Sequence, residues 1–200
     1  MSKTPSGQKR SKREIRREQV AREKRMRSLR IWIPAAVVVL TLVGLLIYRA
    51  TRPEVEGVVA VESAASNQHD DSLVIPFGDT PPMGGPHAST WQNCGIYTTP
   101  VEAQYAIHSM EHGAVWITYN PDLPADQVAT LEDLARGENY MLVSPYPEQD
   151  SPVVLTVWDR QLAVDSADDA RIEEFIDRYK QIRGPEAGAG CSGGVGSPLS

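Results

Sequence analysis

Apolar positions are concentrated in one uninterrupted block near the N-terminus and in several short runs further along the chain. The block reads IWIPAAVVVLTLVGLLIY, covers residues 31–48 and contains no charge. As a helix it would be about 27 Å long, close to the roughly 30 Å of a bilayer's hydrocarbon core. Trp32 and Tyr48 lie near its two ends, where interfacial aromatic residues are common. The pattern therefore predicts one transmembrane helix over residues 31–48.

The charges on either side of this block predict its orientation. Residues 1–30 contain twelve Lys and Arg against three Glu, a net charge of +9, so the rest of the chain must carry −15 to give the overall −6. Because basic residues collect on the cytoplasmic side of a span, we expect a cytoplasmic arm and an extracytoplasmic C-terminal part. A cleaved signal peptide fits less well, because Arg49, Arg52 and Pro53 follow the block in place of a small-residue cleavage site.

The basic arm, residues 1–30, also predicts a partner. A cluster of Lys and Arg directly beside a membrane span is typical of contact with anionic lipid headgroups. A similar cluster in a soluble chain would also suit nucleic acid. In this position we expect lipid contact and no nucleic-acid partner.

The part of the chain after the block divides by composition into three segments. Residues 49–72 are rich in Glu, Ala, Ser and Asp without periodicity, which is typical of a spacer. Residues 73–186 alternate apolar runs with turn residues and predict a folded domain. Residues 187–200 form a Gly/Ser-rich tail that is not expected to fill a core.

Within residues 73–186 the short apolar runs and the helix signals predict an α+β fold. The predicted strands are LVIPF (73–77), AVWITY (114–119), YMLVS (140–144) and VVLTVW (153–158). The predicted helices start at Pro100, at Pro124 and near Ser166, and end before Gly113, Gly137 and Gly184. The last helix has one apolar stripe, formed by Ile172, Phe175, Ile176, Tyr179 and Ile182. This order predicts a compact domain of three to four strands with about three covering helices.

The two cysteines, Cys94 and Cys191, both lie in the part predicted to be extracytoplasmic, where disulfides persist. With only two cysteines there is one possible intramolecular pairing, and we expect a structural disulfide that pins the tail to the domain. Two free or metal-bound thiols are the alternative. The chain lacks a CxxC motif, so a thiol redox catalyst is not expected.

The stretch HSMEHG, residues 108–113, contains two of the four histidines of the chain. In a helix, His108, Glu111 and His112 share one face while Met110 points to the opposite, core-facing side. In a strand, His108, Met110 and His112 would share a face instead. The helix is favoured by a predicted capping box at Thr99 and Glu102 and by Gly113, a typical helix stop.

Two histidines one helical turn apart are a common way to present two imidazoles to one metal ion. His87, in the proline- and glycine-rich loop PPMGGPH, is the expected third ligand, with Glu111 as a further candidate. Zn²⁺ or Cu²⁺ would suit these groups, and copper is slightly preferred because of the compartment and because Met83 would add a soft ligand for Cu⁺. The alternative is that the histidines only satisfy local hydrogen bonds near a helix C-terminus.

The letters H-S-M-E-H also fit the H-x-x-E-H pattern of inverted zinc metallopeptidases, in which the glutamate activates a zinc-bound water. The downstream acidic ligand that such an enzyme needs has no persuasive position in this sequence, since Glu173 and Glu174 lie beside the apolar stripe of the last helix. Zinc-dependent hydrolysis is therefore the lesser alternative, and a non-enzymatic domain is favoured over an enzyme.

Several motifs in order resemble one known family: PPMGGPH (81–87), CGIY (94–97), HSMEHGAVWITY (108–119), VVLTVWDR (153–160) and FIDRYKQIRGPE (175–186). They are similar to the bacterial domain-of-unknown-function family numbered 3105, over roughly residues 73–186. The family pattern marks His87, His108, Glu111 and His112, and it often has leucine where this chain has Met110. The resemblance implies a single span in the bacterial cell membrane with an external domain, and it implies no particular activity.

The sequence thus predicts a single-pass membrane protein with its N-terminus in the cytoplasm and its C-terminal domain outside. The biochemical activity is not determined by the sequence. The favoured hypothesis is a transition-metal site, copper or zinc, at His87, His108, His112 and Glu111. The alternative is an envelope interaction module that binds a protein partner and has purely structural histidines.

Overall fold

The structure is a computed structural model that describes residues 12–62 and 67–199. The first eleven residues of the predicted basic arm, residues 63–66 of the predicted spacer and the last residue of the tail lie outside the described residues. The chain divides into two units, Met1–Pro53 and Glu54–Ser200.

The first unit is formed by one long helix, α1 (Lys12–Thr51). Its segment Arg16–Tyr48 is a candidate membrane span by length and composition, with a mean hydropathy of 2.5 in its most apolar window and none of that window buried. The helix begins well before the predicted start, inside the basic arm. Pro34 therefore lies in the helix interior and not in its first turn, so it removes one backbone hydrogen-bond donor there.

The second unit contains a mixed six-stranded sheet with the strand order β1-β6-β5-β3-β4-β2. The strands are β1 (Val59–Ala60), β2 (Gly95–Ile96), β3 (Val115–Tyr119), β4 (Met141–Pro145), β5 (Val153–Val157) and β6 (Arg160–Val164). β2, β4 and β3 run parallel to one another, whereas β3, β5, β6 and β1 form antiparallel pairs. The predicted α+β class is confirmed, with more strands than expected.

The strand predictions were wrong at one position and incomplete at others. Residues 73–77, all of them described, form no strand; Ile75 and Phe77 instead pack against the core as parts of a loop. The short strands β1 and β2 carry too few residues to show an alternation. β6 follows β5 through a two-residue turn in which Asp159 has a φ of 60°, a left-handed conformation that Asp adopts more readily than most residues.

Three helices cover the sheet: α2 (Ala103–Glu111), α3 (Ala125–Ala135) and α4 (Arg171–Tyr179). The predicted capping box at Thr99 was wrong, because α2 starts with Glu102 as its N-cap and that side chain makes no capping bond with any described residue. The predicted stripe of α4 holds for Ile172, Phe175 and Tyr179, which are buried. Ile182 lies beyond the helix end and is 59% exposed, because the chain turns away after Tyr179.

The sheet separates two apolar clusters, because alternate residues of a strand point to opposite faces. Val115 and Ile117 of β3 belong to the cluster that contains α3 and α4 side chains. Trp116, between them, belongs to the cluster that contains Ile107 and Met110 of α2. Helix α2 is therefore packed on one face of the sheet through its apolar side, which leaves its histidine-bearing side for other contacts.

The Gly/Ser-rich tail does not fill the core, but it is bound along the segment 91–96. The backbone amides of Asn93 and Val195 donate to the carbonyls of Val195 and Trp91, and Leu199 donates to Ile96. A disulfide joins Cys94 to Cys191, with 5.4 Å between their Cα atoms. The predicted pairing of the two cysteines is thus present in the structure.

Candidate metal centre

All four histidines of the chain meet at one place beside α2, although they are spread over residues 69–112. The potential ligand atoms of His69, His87, His108 and Glu111 lie within 4.8 Å of one another, and we refer to these four residues as the inner group. His87, His108 and Glu111 are buried, whereas the side chain of His69 is 38% exposed. The inner group is thus a largely enclosed cluster with one side near solvent.

Helix α2 supplies two members of the inner group from one face. His108 and Glu111 are buried on the side of α2 that faces the loops. Met110 is fully buried in the apolar cluster against the sheet. The helical interpretation of HSMEHG is therefore confirmed, and Met110 is a core residue.

The loop that carries His87 is held to the β5–β6 hairpin by hydrogen bonds. The side-chain amide of Gln161 donates to the carbonyl of Pro81 at 2.8 Å, and the backbone amide of Asp159 donates to the carbonyl of Met83 at 2.8 Å. These bonds place the His87 ring on top of α2, fully buried. The structure thus brings His87 of this loop next to His108 and Glu111 of α2, as the sequence predicted.

His69 was not predicted as a site residue, because it lies in the segment interpreted as a spacer. Its backbone pairs with that of His87 in a parallel bridge. The carboxylate of Asp71 accepts hydrogen bonds from the backbone amide and the hydroxyl of Ser89, at 2.7 and 2.6 Å. The only signal in the sequence was a histidine next to two aspartates in a segment that otherwise has no periodicity.

Three of the histidines present the same ring nitrogen to the protein backbone. Nδ1 lies 2.8 Å from the Gly85 carbonyl in His87, 2.8 Å from the Ala88 carbonyl in His108, and 2.6 Å from the Gly190 carbonyl in His112. Because a carbonyl oxygen only accepts, each Nδ1 must carry the hydrogen. In the neutral ring Nε2 is then left with a free lone pair, as in histidines that ligate a metal through Nε2.

Glu111 places a buried carboxylate between the histidines. Its Oε2 lies 2.9 Å from His87 Nε2 and 3.7 Å from His69 Nε2. Its Oε1 accepts a hydrogen bond from the backbone amide of Asn67 at 3.2 Å. A fully buried carboxylate is costly without a positive partner, so a protonated histidine or a cation beside Glu111 would stabilise the inner group.

The environment favours the neutral form of His108. Burial lowers the pKa of His108, and the neighbouring His112 and His87 lower it further, against opposing contributions from Ala88 and Glu111. A neutral imidazole is the form that binds a metal ion. His108 is thus held in the protonation state of a ligand.

His112 points to a second group of potential ligand atoms. His108, His112 and Glu186 have ligand atoms within 4.8 Å of one another, and we refer to these three as the outer group. His112 Nε2 lies 3.6 Å from Glu186 Oε2, and the Glu186 side chain is 44% exposed. The four predicted ligands are therefore divided between the groups: His87 and Glu111 belong to the inner group, His112 to the outer group, and His108 to both.

The segment after α4 holds the C-terminal end of α2. The backbone amides of Glu186 and Gly188 donate to the carbonyls of Glu111 and His112, both at 3.0 Å. Gly190 binds the His112 ring and directly precedes Cys191, so the disulfide fixes this contact as well. The segment thus supplies hydrogen-bond donors to carbonyl groups that have no partner within the helix at its C-terminal end.

Two indole rings stand beside the histidines. The ring centroid of Trp91 lies 5.0 Å from that of His112 and 5.7 Å from that of His108. The ring of Trp158 lies 5.9 Å from that of His87. Aromatic rings therefore pack against three of the four histidines.

The donor set of the inner group is three imidazoles and one carboxylate. These ligands fit Zn²⁺, which favours four nitrogen, oxygen or sulfur donors in a tetrahedron, and they also fit Cu²⁺. Tetrahedral ligands at zinc distances stand about 3.3 Å apart, so a modest inward movement of side chains would complete the site. The arrangement of residues is compatible with a bound metal ion.

The family model described as "Protein of unknown function (DUF3105)" matches residues 69–193 of the chain. The match covers more than half of the chain and begins at His69, so it includes every residue of the inner and outer groups. No curated protein and no solved structure gave a match.

Proposed function

We propose that this protein, which belongs to the DUF3105 family of proteins of unknown function, binds one divalent transition-metal ion through the inner group. His87, His108 and His69 would supply imidazole nitrogens and Glu111 a carboxylate oxygen. The observation that carries the proposal is the common orientation of the His87 and His108 rings, with Nδ1 on a backbone carbonyl and Nε2 directed away from it. That arrangement presets both tautomers for a ligand role.

The choice of metal follows from the donor atoms. Cu⁺ prefers sulfur ligands, whereas the ligand atoms of the inner group are imidazole nitrogens and a carboxylate oxygen. Three nitrogens and one oxygen suit Zn²⁺ and Cu²⁺ better. We therefore place Zn²⁺ first and Cu²⁺ second, which reverses the preference drawn from the sequence.

The charge of the inner group supports the same proposal. The carboxylate of Glu111 is fully buried, its Oε1 accepts a hydrogen bond from the backbone amide of Asn67, and its Oε2 faces histidine nitrogens. A divalent ion would neutralise this carboxylate and accept the lone pairs of the neutral rings at the same time. A protonated His87 would neutralise it too, but would leave the other imidazoles without a role.

The alternative function is a structural histidine cluster in an envelope interaction module. It is favoured by one observation: His87 Nε2 lies 2.9 Å from Glu111 Oε2, and an imidazolium with hydrogen on both nitrogens would donate to this carboxylate without a metal ion. A zinc-dependent hydrolase is a lesser candidate, because Glu111 lies among the ligand atoms and would have to act as a base instead of a ligand.

The first experiment is to measure the metal content of the full chain in detergent after incubation with Zn²⁺ or Cu²⁺ and removal of excess ion. We expect about one ion per chain, and we expect the His108→Ala variant to bind none. A Glu173→Gln variant, altered at an exposed site on α4, should behave as wild type. A wild-type chain without metal, whose melting temperature does not move with either ion, would support the structural alternative instead.

We also propose that α1 anchors the protein in a bacterial cell membrane with residues 54–200 on the extracytoplasmic side. The proposal is supported by the candidate span, by the basic residues that precede it and by the disulfide between Cys94 and Cys191. The basic arm would then contact anionic lipid. Protease added to intact spheroplasts should remove the C-terminal domain; a fully protected domain would contradict this orientation.

A further inference from the structure

The outer group forms a second cluster of ligand atoms beside the inner group, and the two have one residue in common. His108 belongs to both, whereas His112 and Glu186 belong only to the outer group. The rings of His108 and His112 are 4.6 Å apart at their centroids and nearly perpendicular. Two potential metal positions therefore lie next to each other on the same helix face.

His108 has only one nitrogen to offer a metal. Its Nδ1 donates to the Ala88 carbonyl, so only Nε2 has a free lone pair. One lone pair binds one ion, so the two positions compete for His108 and cannot both use it at the same time. A chain with both groups intact would hold one ion, not two.

The two groups differ in burial and in number of ligands. The inner group has four potential ligands, three of them buried. The outer group has three, and its only carboxylate belongs to Glu186, which is 44% exposed. Fewer ligands and more water predict a weaker and faster-exchanging position.

The outer group is nevertheless built with the same orientation of its rings as the inner group. His112 is 4% exposed, its Nδ1 donates to the Gly190 carbonyl, and its Nε2 faces Glu186. Trp91 packs beside both rings of the outer group. The backbone of Glu186 is also fixed, because its amide donates to the Glu111 carbonyl.

We propose that His108, His112 and Glu186 form a second metal position that exchanges one ion with the inner group through His108. This inference rests on the proposed metal-binding function. The ion would leave the inner ligands and join Glu186 and His112 while His108 remains bound. Glu186 is the exposed member, so an external acceptor would take the ion at this position.

The test uses Co²⁺ as an optical probe for a divalent ion, with the full chain in detergent. The wild type should bind one Co²⁺. His87→Ala should still bind one Co²⁺, with affinity lower by at least about tenfold, since even outer-shell partners of a metal site are worth roughly 10- to 100-fold. His87→Ala combined with Glu186→Gln should lose this residual binding, whereas His87→Ala combined with the control Glu173→Gln should keep it.

The single variant Glu186→Gln tests the exchange in the otherwise intact site. A chelator should remove Co²⁺ from this variant several-fold more slowly than from the wild type, because the exposed position would lack its carboxylate. The Glu186 side chain is exposed, so the variant should fold like wild type, which a melting curve checks. Equal removal rates in Glu186→Gln and wild type would overturn the exchange.

Three further outcomes have distinct meanings. A wild type that binds no Co²⁺, Zn²⁺ or Cu²⁺ would overturn the proposed function itself. A wild type that binds one ion, together with a His87→Ala variant that binds none, would leave the inner site standing and overturn the second position. Two ions bound per wild-type chain would overturn the competition for His108.

Discussion

Nε2 of His87 and Oε2 of Glu111 lie 2.9 Å apart, and both side chains are completely buried. The two residues come from a proline-rich loop and from a helix, 24 positions apart in the chain. An isolated carboxylate in this position would be strongly unfavourable. A positive charge beside the carboxylate, from a proton on the imidazole or from a metal ion between the two side chains, would therefore stabilise the pair.

Replacing Glu111 by Gln should weaken metal binding while preserving the shape of the side chain. We expect the affinity for Zn²⁺ to fall by at least about tenfold, because the amide oxygen carries no full negative charge. In the wild type, Zn²⁺ at one hundred times its dissociation constant should stabilise the fold by about 2.7 kcal/mol. Calorimetric titration checks the affinity, with Glu173→Gln as the control. Equal affinities of Glu111→Gln and wild type would remove Glu111 from the ligand set.

Replacing both cysteines by serine should lower the free energy of unfolding by about 2–4 kcal/mol. The bridge closes a sequence separation of 97 residues, so it strongly restricts the unfolded chain. Urea unfolding followed by tryptophan fluorescence measures the stability, and Ser192→Ala, at an exposed neighbour of Cys191, is the control. Unchanged stability in the serine variant would argue against a structural role of the bridge.

Gly184 and Gly188 lie in the segment after α4 that contacts the C-terminal end of α2. Replacing each by alanine should lower the stability of the fold by different amounts. Gly184 has a φ of +113°, and a Cβ there would lie 2.3 Å from the Glu111 carbonyl oxygen. Gly188 has a φ of +99°, but its Cβ would meet none of the described atoms within 4 Å. Gly188→Ala should cost about 1–2 kcal/mol from backbone strain alone.

Gly184→Ala should cost clearly more than Gly188→Ala, because a backbone clash is added to the strain. It should also disturb the metal site, since the clash falls on Glu111. Urea unfolding curves and Zn²⁺ titrations of the two variants provide the comparison. Similar losses in both variants would show that α2 and the segment after α4 can separate without cost.

Tyr179 should make stability depend on pH in the alkaline range. Burial, followed by the hydrogen bond and the charge of Glu54, raises the pKa of Tyr179 from 10.0 to about 12. The unfolded chain then loses this proton at lower pH than the folded chain. The contribution is complete below pH 10 and is lost as the pH rises from about 10 to about 12.

The Tyr179→Phe variant should lack this loss. We expect the wild type to lose up to roughly 2 kcal/mol of stability across this range in excess of the variant. Chemical unfolding at pH 9, 10, 11 and 12 measures the difference. Parallel pH profiles of Tyr179→Phe and wild type would show that the Tyr179 hydroxyl does not contribute to the loss of stability at alkaline pH.

The sequence by itself determined the features that depend on local patterns. The uncharged run at 31–48 marked a candidate span, the alternation of short apolar runs and helix signals indicated an α+β domain, and helical geometry separated Met110 from His108. These conclusions held because periodicity and burial are linked directly within one element. The disulfide could be predicted because a chain with two cysteines allows only one intramolecular pairing.

Only the tertiary structure decided how distant segments meet. It brought His69 from an apparent spacer to His87 by a backbone bridge, and it brought Glu186 to His112 through the segment after α4. It also showed that 73–77 is a loop and that β1, β2 and β6 complete the sheet. These contacts depend on hydrogen bonds between residues far apart in the chain, and such pairings leave no periodic signal in a single sequence. The division of the histidines into two groups around His108 is therefore a property of the folded chain alone.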